Sequence, residues 1–256
     1  MDTVNPTIHI FNSSDELFLA AANDFKNRAD HYIKKKGKFI VALSGGNTPK
    51  AFFAILASMK NIPWPDIIFF FCDERYVSSD SLDNNYCMAN LFLFSKVAIN
   101  PKNIYRISTN FLDPEESVLE YEKTLNEFRK NSDEHLFDVV YLGLGENAHT
   151  ASLMPGSDIV KYYANQTISH EHDPLVAALF VFELNMYRIT LTPTALKNSD
   201  AIIFLVVGQD KEKAVQAVLK DPYDPVCYPA QLFQDVNGKI TWYLDEAAAT
   251  MIDKKG

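Results

Sequence analysis

Four short stretches of this chain are almost continuously apolar: residues 38–43 (KFIVAL), 66–72 (DIIFFFC), 138–142 (DVVYL) and 201–207 (AIIFLVV). Blocks of that length, bounded by polar residues or glycine, predict strands buried on both faces. Between them the spacing of apolar residues becomes helical. A helix over residues 13–36 is predicted to start at Ser13-Ser14-Asp15-Glu16, with serine or aspartate as cap, and to stop at Gly37. Pro49 suits the first turn of a second helix running to about residue 59. Residues 85–94 and 211–220 read as further helices, and 114–130 as a charged amphipathic one on the surface. The alternating run 188–192 (RITLT) and the run 240–244 (ITWYL) read as two more strands.

Continuous apolar strands alternating with helices predict an α/β fold, with a mostly parallel sheet and helices on both faces. No internal repeat, low-complexity tract or linker interrupts the chain, so one domain over residues 1–256 is expected. In such sheets ligands bind beyond the carboxyl ends of the strands. The residues that follow each strand are therefore the ones to inspect.

Composition narrows the classes of partner. The chain has 256 residues, 47% of them hydrophobic, which is enough for a sizeable core. A formal net charge of -9 argues against nucleic acid, yet a local basic cluster would still accept a small anion. The three cysteines, Cys72, Cys87 and Cys227, are odd in number and lack C-x-x-C spacing. That speaks against a disulfide framework or a zinc site and fits a reducing cytoplasm. The N-terminal stretch has no basic region ahead of an apolar run, so no signal peptide is expected. No apolar run reaches the roughly 18 residues of a membrane span. No membrane partner, metal or cofactor is expected, and monomer and dimer both remain open.

Ser44-Gly45-Gly46-Asn47-Thr48 follows the first apolar block. Small residues there let backbone N–H groups and the positive end of the next helix form an anion cradle. A tight turn that needs glycine for steric reasons fits the same residues. The absence of a lysine after Gly46 disfavours a nucleotide triphosphate loop. Asp73-Glu74-Arg75 follows the second block and suits either substrate orientation or a surface ion pair.

Gly143-Leu144-Gly145-Glu146-Asn147-Ala148 follows the third block and matches a dinucleotide fingerprint, but Pro155 interrupts the helix such a motif requires. His149, just beyond, has the ordinary pKa of a general base at neutral pH, although a helix cap is the plain alternative. His170-Glu171-His172 is better read as solvent-exposed than as a metal site. Lys211 and Lys213, in the first turn after the fourth block, oppose the helix dipole and would suit a phosphate or plain solvent.

In this order, these fragments resemble the 6-phosphogluconolactonase family. The matching residues are 43–49 (LSGGNTP), 73–77 (DERYV) with 84–86 (NNY), 142–145 (LGLG) with 149–156 (HTASLMPG), 188–192 (RITLT), Gly208 with Lys213-Ala214, and Trp242 with 245–248 (DEAA). The resemblance implies a Rossmann-like domain of the kind shared with glucosamine-6-phosphate deaminases and, more distantly, ribose-5-phosphate isomerases. It implies metal-free hydrolysis of a sugar-phosphate lactone, with His149, Asn147, Asp73 and Arg75 as candidate catalytic residues. Ser44, Gly45, Gly46, Asn47, Thr48, Arg188 and Lys213 would bind the phosphate and sugar. Deaminases of the superfamily carry a carboxylate five residues after the loop histidine, where this chain has Met154, and usually read Asp-Glu-Tyr where it has Asp73-Glu74-Arg75. A deaminase-like enzyme or a catalytically weak sugar-phosphate-binding homologue are the alternatives. The family usually reads G-x-D-G-H, so Asn147 and Ala148 are departures: the first removes a negative charge beside His149, and the second resists positive φ.

Overall fold

The computed structural model describes residues 6–130, 135–166, 173–234, 236 and 239–252. Its strands are β1 (Thr7–Phe11), β2 (Phe39–Leu43), β3 (Ile67–Phe71), β4 (Asp73–Arg75), β5 (Ile104–Tyr105), β6 (Phe137–Leu142), β7 (Val176–Val181), β8 (Met186–Leu191), β9 (Ser199–Val206) and β10 (Ile240–Asp245). Its helices are α1 (Ser14–Lys36), α2 (Asn47–Ser58), α3 (Asn85–Phe92), α4 (Pro114–Arg129), α5 (Asp158–Ala164), α6 (Pro193–Lys197), α7 (Glu212–Leu219) and α8 (Glu246–Ala249).

The four apolar blocks become β2, β3, β6 and β9, adjacent in the middle of a parallel seven-stranded sheet ordered β1-β10-β9-β6-β2-β3-β5. Their central place explains why they lack alternation: every residue of β2 and β6 is buried. The edges differ. β1 is solvent-exposed along most of its length, and β5 has two residues. Neither carries an apolar block, which is why the hydrophobic pattern does not announce them.

The helices form for local reasons that the sequence displays. Ser13 Oγ accepts the Glu16 N–H at the start of α1, and Gly37 closes it with φ 77°. Acidic residues in the first turn and lysines in the last complement the helix dipole. The buried face of α1 sets Phe25 against Phe39 and Tyr141 of the sheet, Phe52 of α2 and Trp64 just before β3.

One expectation changes. The run 188–192 belongs to a strand, but β8 lies outside the parallel sheet. It is the middle strand of a second, antiparallel sheet ordered β4-β8-β7. The predicted strand at 66–72 stops at Phe71, and Cys72 is the joint between the sheets. Its N–H donates to Leu43 O at 2.8 Å in β2, and its C=O accepts the Leu191 N–H at 2.7 Å in β8. The next residue, Asp73, is thereby delivered to the carboxyl end of the main sheet, opposite Thr190, with Arg75 opposite Arg188. Apolar periodicity reports which faces are buried and not which strand is the partner, so this turn is invisible in it.

Beyond the short edge strand β5, the last residue of β3 is satisfied by a side chain. The buried Tyr121 hydroxyl accepts the Phe71 N–H at 2.9 Å and donates to Phe71 O at 3.0 Å. Tyr121→Phe removes both bonds and leaves two buried backbone groups unpaired. The expected cost is about 2 kcal/mol in urea denaturation with an unchanged m value.

Candidate active site

All strands of the main sheet run the same way, so the segments after β2, β6 and β9 emerge together. They form three walls of a cavity of about 500 Å³, and β4 and β8 supply the remaining one. The first wall is Ser44 to Pro49, the second includes Gly143 to Gly145 and His149 to Ala151, and the third holds Val207, Asp210 and Lys211. Asp73, Arg75 and Arg188 face them.

The Ser44 loop leads directly into α2. Gly46 is its N-cap with φ 108°, a conformation that favours glycine, and no side chain caps the helix. The first N–H groups of α2 therefore border the cavity without a side-chain acceptor. Ser44 Oγ, Arg75 Nε and Arg188 Nε are buried without a hydrogen-bond partner. Buried polar groups are normally paired, so three unpaired ones around one cavity mark where a polar ligand would fit.

His149 is held by its own loop. Gly145 N–H donates to His149 O at 2.8 Å, and Ala148 N–H donates to Gly145 O at 2.9 Å. The imidazole lies against Gly145, where an added Cβ would come within 2.0 Å of Nδ1. Ala148 keeps the left-handed conformation, with φ 60°. For alanine this costs about 1 kcal/mol, while its methyl group is buried.

Asn147 does not line the cavity; it acts on the histidine. Its Oδ1 lies 2.5 Å from His149 Nδ1 and also accepts the His149 backbone N–H at 3.3 Å. An atom that takes a backbone N–H is the amide oxygen, so Nδ1 must carry the ring proton. The imidazole is then the tautomer whose Nε2 lone pair is free, and no described protein group bonds to it. Burial depresses the pKa of His149. The Asp73 carboxylate opposes that effect, and Arg188, Lys211 and Arg75 reinforce it. The ring is therefore neutral at pH 7.

Asp73 is buried and tightly engaged. Ser152 Oγ donates to its Oδ2 at 2.6 Å, Asn85 Nδ2 to its Oδ1 at 3.2 Å, and Arg188 Nη1 stands 3.6 Å from Oδ2. Beneath it, the Glu74 carboxylate accepts the N–H groups of Arg75, Asn85 and Tyr86 at 2.6–3.0 Å, although burial pushes its pKa up to about 8. Glu74 thus anchors the start of α3 and does not line the cavity.

One expected residue lies elsewhere. Lys213 is exposed on α7 and does not reach the cavity. Lys211 does, with Nζ 3.0 Å from Asp210 Oδ2 and 4.0 Å from Glu146 Oε1. The short 3₁₀ turn Gln209–Lys211 precedes α7. Two residues further on, helical rotation has turned the side chain by roughly 200°, toward solvent. Gly208 is pinned there by its N–H to both oxygens of Asp245, which also caps α8.

Ser152 and Asn85 fall within the family-matching stretches 149–156 and 84–86, but nothing local assigns either a role, because both act through Asp73 in another segment. The dinucleotide fingerprint at 143–148 lacks its helix: the next one, α5, starts at Asp158. The run 170–172 lies outside the described residues. Among the described residues no cluster of histidine, cysteine and carboxylate suits a metal, and no helix is long and apolar enough to cross a membrane.

Comparison with known proteins agrees with this architecture. The model of the glucosamine-6-phosphate isomerase/6-phosphogluconolactonase family matches residues 12–242, and the chain belongs to that family. A 6-phosphogluconolactonase of Nostoc sp. is 32% identical, over 94% of this chain and 96% of its own length. One from Synechocystis sp. is 34% identical, over 84% and 85%. The crystal structure of 6-phosphogluconolactonase from Thermotoga maritima superposes with a TM-score of 0.76 at 30% identity, covering 93% of this chain and 99% of that one.

The packing of the imidazole on Gly145 generates a test. Gly145→Ala should fold normally but displace the ring, cutting turnover by about 10²-fold, as misplacement of a reacting group by an ångström does. Thermal melting and steady-state kinetics on the same sample measure both effects.

Proposed function

We propose that the chain hydrolyses 6-phospho-D-glucono-1,5-lactone to 6-phospho-D-gluconate in the oxidative pentose phosphate pathway, with His149 as general base. The observation that carries this reading is the imidazole held at Nδ1 by Asn147 with its Nε2 free, beside a cavity where Ser44 Oγ, Arg75 Nε and Arg188 Nε lack partners. Three cations, Arg75, Arg188 and Lys211, stand against two carboxylates, Asp73 and Asp210, around the cavity. The pocket thus favours an anion although the whole chain carries a charge of -9.

His149 Nε2 takes a proton from water as the water oxygen attacks the lactone carbonyl carbon. The developing oxyanion is stabilised by a neighbouring cation or backbone N–H. The intermediate collapses with cleavage of the bond to the ring oxygen, which takes its proton back from the imidazolium. The 6-phosphate is held by Lys211 and the Ser44 to Thr48 loop at the start of α2, with Arg75 or Arg188 as a fork for its oxygens or the sugar hydroxyls. Lys211 takes the part that the family resemblance assigned to Lys213. A lactone is a reactive ester, and the reading requires no cofactor.

A deaminase-like reaction would release ammonia from glucosamine 6-phosphate, and a binding homologue would hold 6-phosphogluconate without accelerating lactone decay. A coupled lactonase assay corrected for the spontaneous rate, run beside an ammonia-release assay with glucosamine 6-phosphate, separates all three. In that assay His149→Ala should lose about 10²- to 10⁴-fold in turnover while still binding 6-phosphogluconate. Wild-type turnover in this variant would remove His149 from the base role.

Because the reacting form is the neutral imidazole and its pKa lies below 6.5, kcat/KM should be flat through neutral pH and fall only on the acid side, with a midpoint below 6.5. A midpoint above 6.5 would contradict the electrostatics. Lys211→Ala should raise KM by roughly tenfold or more at nearly constant kcat, and Lys213→Ala should leave both unchanged. The reverse pattern would return the phosphate to Lys213.

A further inference from the structure

Asn147 fixes the tautomer of His149 but brings no charge, so the imidazolium formed during proton transfer needs its negative partner from elsewhere. Among the described residues two carboxylates line the cavity, Asp73 and Asp210. Asp210 is half-exposed and bound to Lys211 at 3.0 Å. Glu146 stands at the exposed rim, 4.0 Å from the same lysine. Asp73 is the buried one.

Its geometry suits a fixed charge better than a substrate contact. Ser152 and Asn85 engage one oxygen each, and Asn85 Nδ2 also bonds the Asp73 backbone carbonyl at 2.9 Å. Ser152 lies three residues after His149 in the same loop, and its N–H is bonded to Thr190 Oγ1 at 3.2 Å. The hydrogen bond from Ser152 to Asp73 therefore ties the loop that carries the base to the strand that carries the carboxylate. We propose that Asp73 is the counter-ion of the His149 imidazolium, supplying from β4 the negative charge that Asn147 does not supply from the loop. This rests on His149 being the base. Asp73 is then a positioning residue that acts through His149, and Ser152 and Asn85 hold it in register.

The charged groups that act on His149 agree with this assignment. Arg188, Lys211 and Arg75 disfavour the protonated ring, and Asp73 is the one that favours it. When Nε2 takes a proton, a fourth cation appears in a cavity that already holds three, and Asp73 is the buried carboxylate on hand to offset it. The departure at position 147 is thus compensated by a residue far away in sequence.

The test follows the His149 ring by NMR titration in the full chain, its signal assigned by its loss in His149→Ala. In Asp73→Asn the titration midpoint should fall by roughly half to one pH unit, and in Asn147→Asp it should rise by a similar amount. The double variant should return near wild type. Turnover should echo this: Asp73→Asn should cost about 10- to 100-fold in kcat in the natural background, but only a few-fold when residue 147 is aspartate. If Asp73→Asn folds poorly, Asp73→Ser removes the same charge and keeps a hydrogen-bonding side chain.

A midpoint that does not move in a folded Asp73 variant overturns the proposal. So does an equal loss of kcat in both backgrounds, which would make Asp73 a structural or substrate-binding residue. Failure of the base assignment looks different: His149→Ala would then keep its turnover whatever the titration shows.

Discussion

The contact between His149 Nδ1 and Asn147 Oδ1 decides the chemistry available to this cavity. An amide oxygen accepts only, so it places the ring proton on Nδ1 and leaves Nε2 as the basic nitrogen. A carboxylate at the same place would select the same tautomer and add a charge. Here the two effects are separated. Orientation comes from the neighbouring amide, and the electrostatic balance is set by groups from three other segments: Asp73 and Arg75 on β4, Arg188 on β8 and Lys211 before α7. The family match and the unusual residue at position 147 are therefore compatible.

That balance depends on where two sheets meet. The parallel sheet alone would form a cavity lined by loops after β2, β6 and β9. Cys72 carries the chain from β3 into β4, with one backbone bond to each sheet, and so sets Asp73 and Arg75 beside Arg188. Glu74 points the other way and anchors α3 through the N–H groups of Asn85 and Tyr86, while also accepting the Arg75 N–H. Adjacent residues on a strand face opposite sides, which is why the acid–acid–base triplet divides into two cavity residues and one structural residue.

Two alanines in left-handed conformation, Ala148 and Ala151, flank the base and its neighbour in the loop. Such backbone strain persists where surrounding contacts over-determine the loop. Those contacts include the Ala230 N–H to Ala148 O bond at 3.1 Å and the Ser152 bonds to Asp73 and Thr190. The loop is thus held at both ends, and the imidazole is packed against Gly145 between them.

The amino-acid sequence alone determined the central strands, most of the helices with the cap and stop of α1, and residues 44–48, 73, 75 and 149 that line the cavity, with Arg188 added by the family resemblance. Those signals are local, set by apolar runs, capping residues and motif spacing. The edge strand β1, the strand β7 and the antiparallel second sheet were not legible. Burial periodicity carries no information about strand partners, and β1 is scarcely buried at all. Tertiary structure also decided between Lys211 and Lys213, because two residues of helical rotation separate cavity from solvent. It alone brought Ser152 and Asn85 to Asp73, contacts 79 and 12 residues apart in the chain. A hydrogen bond across such a distance exists only once the sheets have packed, and no stretch of sequence records it.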